Sequence, residues 1–318
     1  MTIQELVKAM RDMRESGDIK EKRFGDVSSF NFSKRAFYGR RWNEYTTKAR
    51  GLFIDTRENR IVARGYEKFF NYGENEFTSP ESLKEKLMFP LRVFRKENGY
   101  LGLIGWDRQK DDFVFCSKSM YGAGDYAEKL KEIFYTSGID YHAAKDLVKT
   151  IGVTIVVEVI DPDFDPHIIE YPRRKLVLLD LIYNDLSGAT MFYDVVQNYW
   201  APKLRMEVKE FCGYIKDWDD LQHAIELVDS EDYREGGAPV EGYVIQDVND
   251  FMFKLKTGYY RKWKRYRALA DAIIKNPEMP VPISELDDFL MWVFCQKDHL
   301  KEESIINMRN MYEKERVE

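Results

Sequence analysis

Three cysteines in 318 residues, Cys116, Cys212 and Cys295, lie far apart, with neither the paired spacing nor the histidine-rich company of a zinc site. They exclude a disulfide-knit module and read as reduced structural residues. No apolar run reaches the roughly 20 residues that a membrane-spanning helix needs. The N-terminus opens on a charged amphipathic stretch, unlike a signal peptide. Internal repeats and low-complexity tracts are missing as well, which excludes solenoids and compositional linkers. The expectation is a soluble, cytoplasmic protein with ample apolar material for a core.

A surplus of positive charge is also lacking, since the net charge is −6. At first sight that argues against a nucleic-acid partner. Charge is unevenly placed, however. Acidic residues crowd 217–235, whereas Arg261, Lys262, Lys264, Arg265 and Arg267 share one short segment. Salt screens charges beyond roughly 8–10 Å, so the local field of a patch decides what binds there.

Apolar residues at helical spacing (Ile3, Leu6, Val7, Met10, Met13) predict a helix over 2–15. Alternation over 51–55 and 60–64, around Thr56-Arg57-Glu58-Asn59, predicts a β-hairpin. Further strands are expected at 91–95, 100–106, 113–118, 153–160 and 175–183, and helices at 126–137, 141–151 and 218–229. A hairpin is expected from Val244-Ile245 through 251–256, then helices from about 259, with a proline-rich break at 276–282. The fold class is α+β, with antiparallel sheets flanked by helices. We expect a main domain over 1–258 and a small helical module over 259–318.

Strand alternation gives several residues chemical meaning. Along 251–256, Phe251, Phe253 and Leu255 share one face, and Lys254 and Lys256 share the other. The plain reading is a half-buried strand with lysines in water; the functional one is a cationic wall. Glu158 interrupts the β-branched run 154–160, where an unpaired buried carboxylate costs several kcal/mol. It must therefore meet solvent, an ion-pair partner or a cation. Glu241 opens Glu-Gly-Tyr-Val-Ile, whose glycine allows a tight backbone turn.

These pieces fall in a fixed order: Ala-Arg-Gly-Leu-Phe at 49–53, Glu-Lys-Phe-Phe-Asn at 67–71, Lys96-Glu97-Asn98-Gly99, Val-Glu-Val at 157–159, Glu241-Gly242, and Lys254-Leu255-Lys256. The ordered set resembles the covalent nucleotidyltransferase superfamily. Its arginine element upstream of the lysine resembles the phage-type RNA ligase 1 family and the adenylyltransferase domain of fungal tRNA ligases. The likeness covers roughly residues 20–265. Asn98 stands where many relatives have Asp; fungal-type relatives share Asn.

The resemblance implies an ATP-dependent RNA ligase with Lys96 as nucleophile, helped by Lys256, Glu158 and Glu241. It assigns Arg50, Lys68, Lys118, Lys254 and Lys256 to the nucleotide, with Phe30 either against the adenine or in the core, and Glu158 and Glu241 to Mg2+ or Mn2+. An ordinary lysine, with a pKa near ~10.4, is protonated at neutral pH; neighbouring positive charge favours the neutral amine. Tyr260, Arg261, Lys262, Lys264 and Arg265 become candidate RNA contacts, or else the two faces of an amphipathic helix. The implied partner is RNA with 5′-phosphate and 3′-hydroxyl ends, nicked tRNA among the candidates, prepared by separate end-healing enzymes. A capping-type enzyme, a DNA ligase and a non-catalytic RNA-end-binding subunit are the alternatives.

Overall fold

The computed structural model describes residues 1–275 and 287–316; the proline-rich break expected at 276–282 lies outside them. Helix α1 (Ile3–Glu15) precedes β1 (Ile19–Phe24), β2 (Val27–Phe32), α2 (Lys34–Tyr38) and α3 (Glu44–Lys48). Strands β3 (Leu52–Asp55), β4 (Arg60–Arg64) and β5 (Phe70–Asn71) follow, then α4 (Pro80–Lys86) and β6 (Leu91–Lys96). Next come β7 (Tyr100–Asp107), β8 (Asp112–Cys116), α5 (Asp125–Thr136), α6 (Tyr141–Lys145), β9 (Val153–Ile160) and β10 (Lys175–Tyr183). Short helices α7 (Tyr193–Val195) and α8 (Ala201–Leu204) lead to β11 (Glu207–Val208), β12 (Phe211–Ile215) and α9 (Trp218–Asp229). The chain continues through β13 (Gly242–Gln246), β14 (Met252–Lys256), α10 (Gly258–Lys275), α11 (Asp288–Gln296) and α12 (Ile305–Glu315).

Two compact units emerge, each assembled from three stretches of chain. The first takes Met1–Leu83, Gly99–Ile160 and Arg174–Glu210; the second takes Lys84–Asn98, Asp161–Arg173 and Phe211–Glu318.

In the first unit one antiparallel sheet runs β1-β2-β3-β4. Leu6, Val7 and Met10 of α1 pack with Phe30, Leu52, Ile54 and Ile61 of that sheet. A capping box between Thr2 and Glu5 fixes where α1 starts. The other sheet runs β11-β10-β9-β7-β8. Strand β9 is central and buried on both faces, which is why its sequence is a nearly unbroken β-branched run. Gly99 leads into β7, where a Cβ would lie 2.1 Å from the Val159 carbonyl oxygen. Only glycine allows that approach.

Within the second unit, β12, β6, β13 and β14 are neighbours in that order. Helices α10, α11 and α12 close on a separate apolar cluster of Tyr259, Tyr260, Trp263, Tyr266, Phe289 and Leu290, among others.

Candidate active site

Strand register builds the centre of the second unit. Gly242 of β13 pairs with Lys96 of β6 on one side and Lys256 of β14 on the other. Two lysines are thus held across a residue without a side chain. A Cβ at Gly242 would lie 2.0 Å from the Leu255 carbonyl oxygen, so the position demands glycine. The next residue back, Glu241, is only 3% exposed. Its Oε2 meets Lys96 Nζ at 3.0 Å and its Oε1 meets Lys256 Nζ at 3.0 Å. Asn98 Nδ2 donates to the same carboxylate at 2.8 Å.

These contacts set the protonation of the group. Burial pushes the Glu241 carboxyl up, but Lys96 and Lys256 outweigh it and hold the group below its usual range. Lys256 is drawn down by burial and by Lys96 and Lys264, against Glu241. Its Nζ sits 4.5 Å from the centre of the Tyr260 ring. Burial pushes the Tyr260 hydroxyl up to about 12, which keeps it neutral. The alternation expected along β14 holds: Phe253 and Leu255 are buried, while Lys254 and Lys256 share the half-exposed face.

Asn98 is anchored from a loop that the sequence did not mark. The Ile169 N–H donates to Asn98 Oδ1 at 3.1 Å. The Tyr171 hydroxyl accepts the Asn98 N–H at 2.8 Å and donates to Glu97 Oε2 at 2.7 Å. Lys96 Nζ also donates to the Glu97 carbonyl at 3.1 Å. Asparagine suits position 98 because its amide can donate to Glu241 and accept from Ile169 together. His167, from the same loop, lies 3.2 Å from Asp165; burial lowers it, with smaller influences from Glu241 and Lys96.

A second charged group occupies the first unit. Glu158 Oε1 accepts the Gly99 N–H at 2.9 Å. Half-buried Arg50 is depressed by desolvation and supported by the charge of Glu158. Its guanidinium donates to the Tyr66 carbonyl at 3.4 Å. Tyr66 is fixed through its hydroxyl to Asp180 (3.1 Å), which Lys209 neutralises (3.1 Å). Lys68 is drawn down by burial and by Arg50 and Lys118, against Glu74 at 3.3 Å. Lys118 is drawn down by burial and then by Arg50. Three cations that raise one another's electrostatic cost form a site suited to a polyanion.

Phe30 and Tyr260 take packed positions, the alternative to their roles in binding. Phe30 is 0% exposed in the core beneath α1, so its ring has no free face for a base. Two residues on, Phe32 is half-exposed, with Lys118 Nζ 4.6 Å from its ring centre. Tyr260 is 7% exposed and packs under Lys256, so it does not offer a stacking surface. Arg261 and Lys262 are paired with Asp229 and Glu231, while Lys264 and Arg265 lie exposed on α10.

No three carboxylate, histidine or cysteine side chains gather into a metal cage among the described residues. Both oxygens of Glu241 are engaged by lysines. Magnesium commonly binds through one or two carboxylates plus substrate phosphates, keeping several waters. The residues fit an ion of that kind, arriving with a nucleotide, better than a resident ion in a protein cage.

The fold is that of the nucleotidyltransferase ligases: an archaeal ATP-dependent RNA ligase superimposes with a TM-score of 0.57 at 13% identity, covering 97% of this chain and 76% of that one. Over residues 48–260 the sequence matches the family model for RNA ligase, and the chain belongs to that family. Among its relatives, tRNA ligase of Candida albicans is 26% identical over 283 residues, 75% of this chain and 33% of that protein. The RNA ligase 1 of bacteriophage TS2126 is 26% identical over 231 residues, 68% of this chain and 51% of that protein. The chain therefore spans 33% to 51% of the length of these relatives.

Proposed function

We propose that this chain seals RNA ends through a covalent nucleotide intermediate. Lys96 Nζ attacks the α-phosphorus of ATP; an N–P bond forms, the bond to the bridging oxygen breaks, and pyrophosphate leaves. AMP then passes from Lys96 to an RNA 5′-phosphate, and an RNA 3′-hydroxyl displaces it to close the phosphodiester. The single observation that carries this reading is the Lys96–Glu241–Lys256 cluster across three adjoining strands.

That cluster also explains how the nucleophile is managed. While Glu241 bridges both lysines it favours Lys96 as an ammonium, which cannot attack. An arriving phosphate gives Lys256 a competing anion. Glu241 then loses part of what keeps it ionised and can take the Lys96 proton. Lys254 shares the wall with Lys256, and Arg50, Lys68 and Lys118 are the cations the family likeness assigns to the phosphates. Glu158 is the carboxylate best suited to share Mg2+ or Mn2+ with the nucleotide, and such an ion would neutralise phosphate charge. Lys264 and Arg265 are exposed cations of α10 and candidates to meet RNA.

We place residues 1–258 as the adenylyltransferase domain and 259–318 as its helical module. The RNA, nicked tRNA among the candidates, would come from separate enzymes that prepare 5′-phosphate and 3′-hydroxyl ends. Among the described residues no helix is long and apolar enough to cross a membrane, and a cytoplasmic site of action fits the use of ATP.

Incubating the protein with α-labelled ATP and a divalent metal tests the nucleophile. Label should appear on the parent and vanish in Lys96→Ala and Lys96→Arg, since arginine keeps the charge but does not deprotonate. Label retained by Lys96→Ala on another residue overturns the assignment.

A further inference from the structure

Residues 34–42 of the first unit read Lys-Arg-Ala-Phe-Tyr-Gly-Arg-Arg-Trp, four cations and three aromatic rings in nine positions. Only Ala36 is buried. Tyr38 is 77% exposed and Phe37 41%. Helix α2 is too short to turn these rings inward: Ser33 caps its start and Gly39 ends it after five residues. Arg40 then takes a φ of 50, a left-handed conformation that glycine adopts at less cost. Arg35 and Arg41 reach back to Asp18 at 3.5 and 3.8 Å, which ties the turn to the body of the unit. Lys34 and Arg40 are exposed, and the carboxylate nearest in sequence is Glu44 of α3.

The exposed rings are the outer end of a continuous ladder. Tyr38 meets Phe37 with ring centres 5.2 Å apart, and Phe37 meets Phe32 and Trp42, each at 6.2 Å. Trp42 in turn meets Phe70 at 5.1 Å. At the inner end Lys68 Nζ lies 3.8 Å from the Phe70 ring centre, and Lys118 Nζ 4.6 Å from that of Phe32. The ladder thus runs from solvent to the cations of the candidate phosphate site, all within one unit.

We infer that residues 34–42 form a landing platform for single-stranded RNA, with Tyr38 and Phe37 stacking on bases and Lys34 and Arg40 on phosphates. Aromatic rings flanked by cations bind single strands because every base has a stacking face and every phosphate a charge. In a chain of net charge −6, positive charge concentrated in one turn steers a polyanion to it. The choice of RNA as occupant rests on the proposed sealing of RNA ends.

Binding of a fluorescent single-stranded oligoribonucleotide to the full chain, followed by anisotropy across a salt series, tests the platform. Tyr38→Ala should weaken binding about tenfold with the salt slope unchanged, and Tyr38→Phe should restore it. Lys34→Ala combined with Arg40→Gly should reduce the slope by about 1.4, at ~0.7 per single-strand phosphate contact. Thermal transitions matching the parent establish that each variant is folded. Affinities within about twofold of the parent, with unchanged slopes, overturn the platform. Labelling of the parent by ATP reports separately on the ligase reading: an unlabelled parent that binds RNA through Tyr38 loses that reading and keeps the platform.

Discussion

Residues 34–42 and 259–267 are alike in composition and opposite in structure. Each packs aromatic residues and basic residues into nine positions. In the second segment Tyr259, Tyr260, Trp263 and Tyr266 recur at helical spacing, and α10 turns all four onto the C-terminal core. In the first, Gly39 breaks α2 between Tyr38 and Trp42, so no single face forms and the rings stay out. Composition alone marks both segments as candidate nucleic-acid contacts. Periodicity separates them, because a stripe at i, i+4, i+7 can be buried as a unit and a broken run cannot.

Stability offers the sharpest way to break this comparison. Trp263 touches Tyr266 at 5.3 Å and Phe289 at 5.1 Å between ring centres, inside the core of the helical module. Truncating a buried aromatic to alanine typically costs about 3–5 kcal/mol. Trp263→Ala should lose that much in denaturant unfolding, whereas Tyr38→Ala should stay within about 0.5 kcal/mol, as surface changes do. A Trp263→Ala cost below about 1 kcal/mol would show that α10 does not bury its rings, and the contrast would fail.

The same contrast shows how far the sequence could be read. Strands β9 and β10 and helix α9 begin and end at the expected residues. The strands are unmistakable apolar runs, and Asp217 caps α9 through its side chain. The β1–β2 hairpin escaped because Ile19-Lys20-Glu21-Lys22-Arg23-Phe24 is dominated by charge, and its Glu21 is satisfied only in the fold, by Arg11, Arg14 and Ser28. The paired lysines of β14 were legible because alternation is local. The grip of Ile169 and Tyr171 on Asn98 was not, since an aperiodic loop supplies it from some seventy positions away. Phe30 could be read either way for the same reason: nothing local distinguishes a core phenylalanine from Phe32 on the same strand.

RNA binding gives a smaller but direct comparison of the two basic sets. Replacing Arg261, Lys262, Lys264 and Arg265 with alanine removes four charges from α10. Arg261 and Lys262 already face Asp229 and Glu231, whereas Lys264 and Arg265 lie exposed on the same helix. The salt slope of RNA affinity should therefore fall by no more than about 1.4, as much as two replacements at Lys34 and Arg40 achieve. A slope change near 2.8 would mean that all four reach phosphates and that α10 is the main RNA surface.

The smallest expected effect concerns those surface pairs themselves. Lys262 Nζ lies 2.8 Å from Glu231, yet the Glu231 side chain is 60% exposed. In such surroundings solvent screening and lost side-chain freedom offset most of the Coulomb attraction, and exposed pairs contribute about 0–1 kcal/mol. Lys262→Ala should accordingly shift unfolding by under about 1 kcal/mol, and raising salt should erase the difference. A double-mutant cycle with Glu231→Ala isolates the coupling from any packing of the lysine stem against Tyr266, 5.7 Å from its Nζ to the ring centre. A coupling above about 2 kcal/mol would show that the cationic face of α10 is built for stability, not left for RNA.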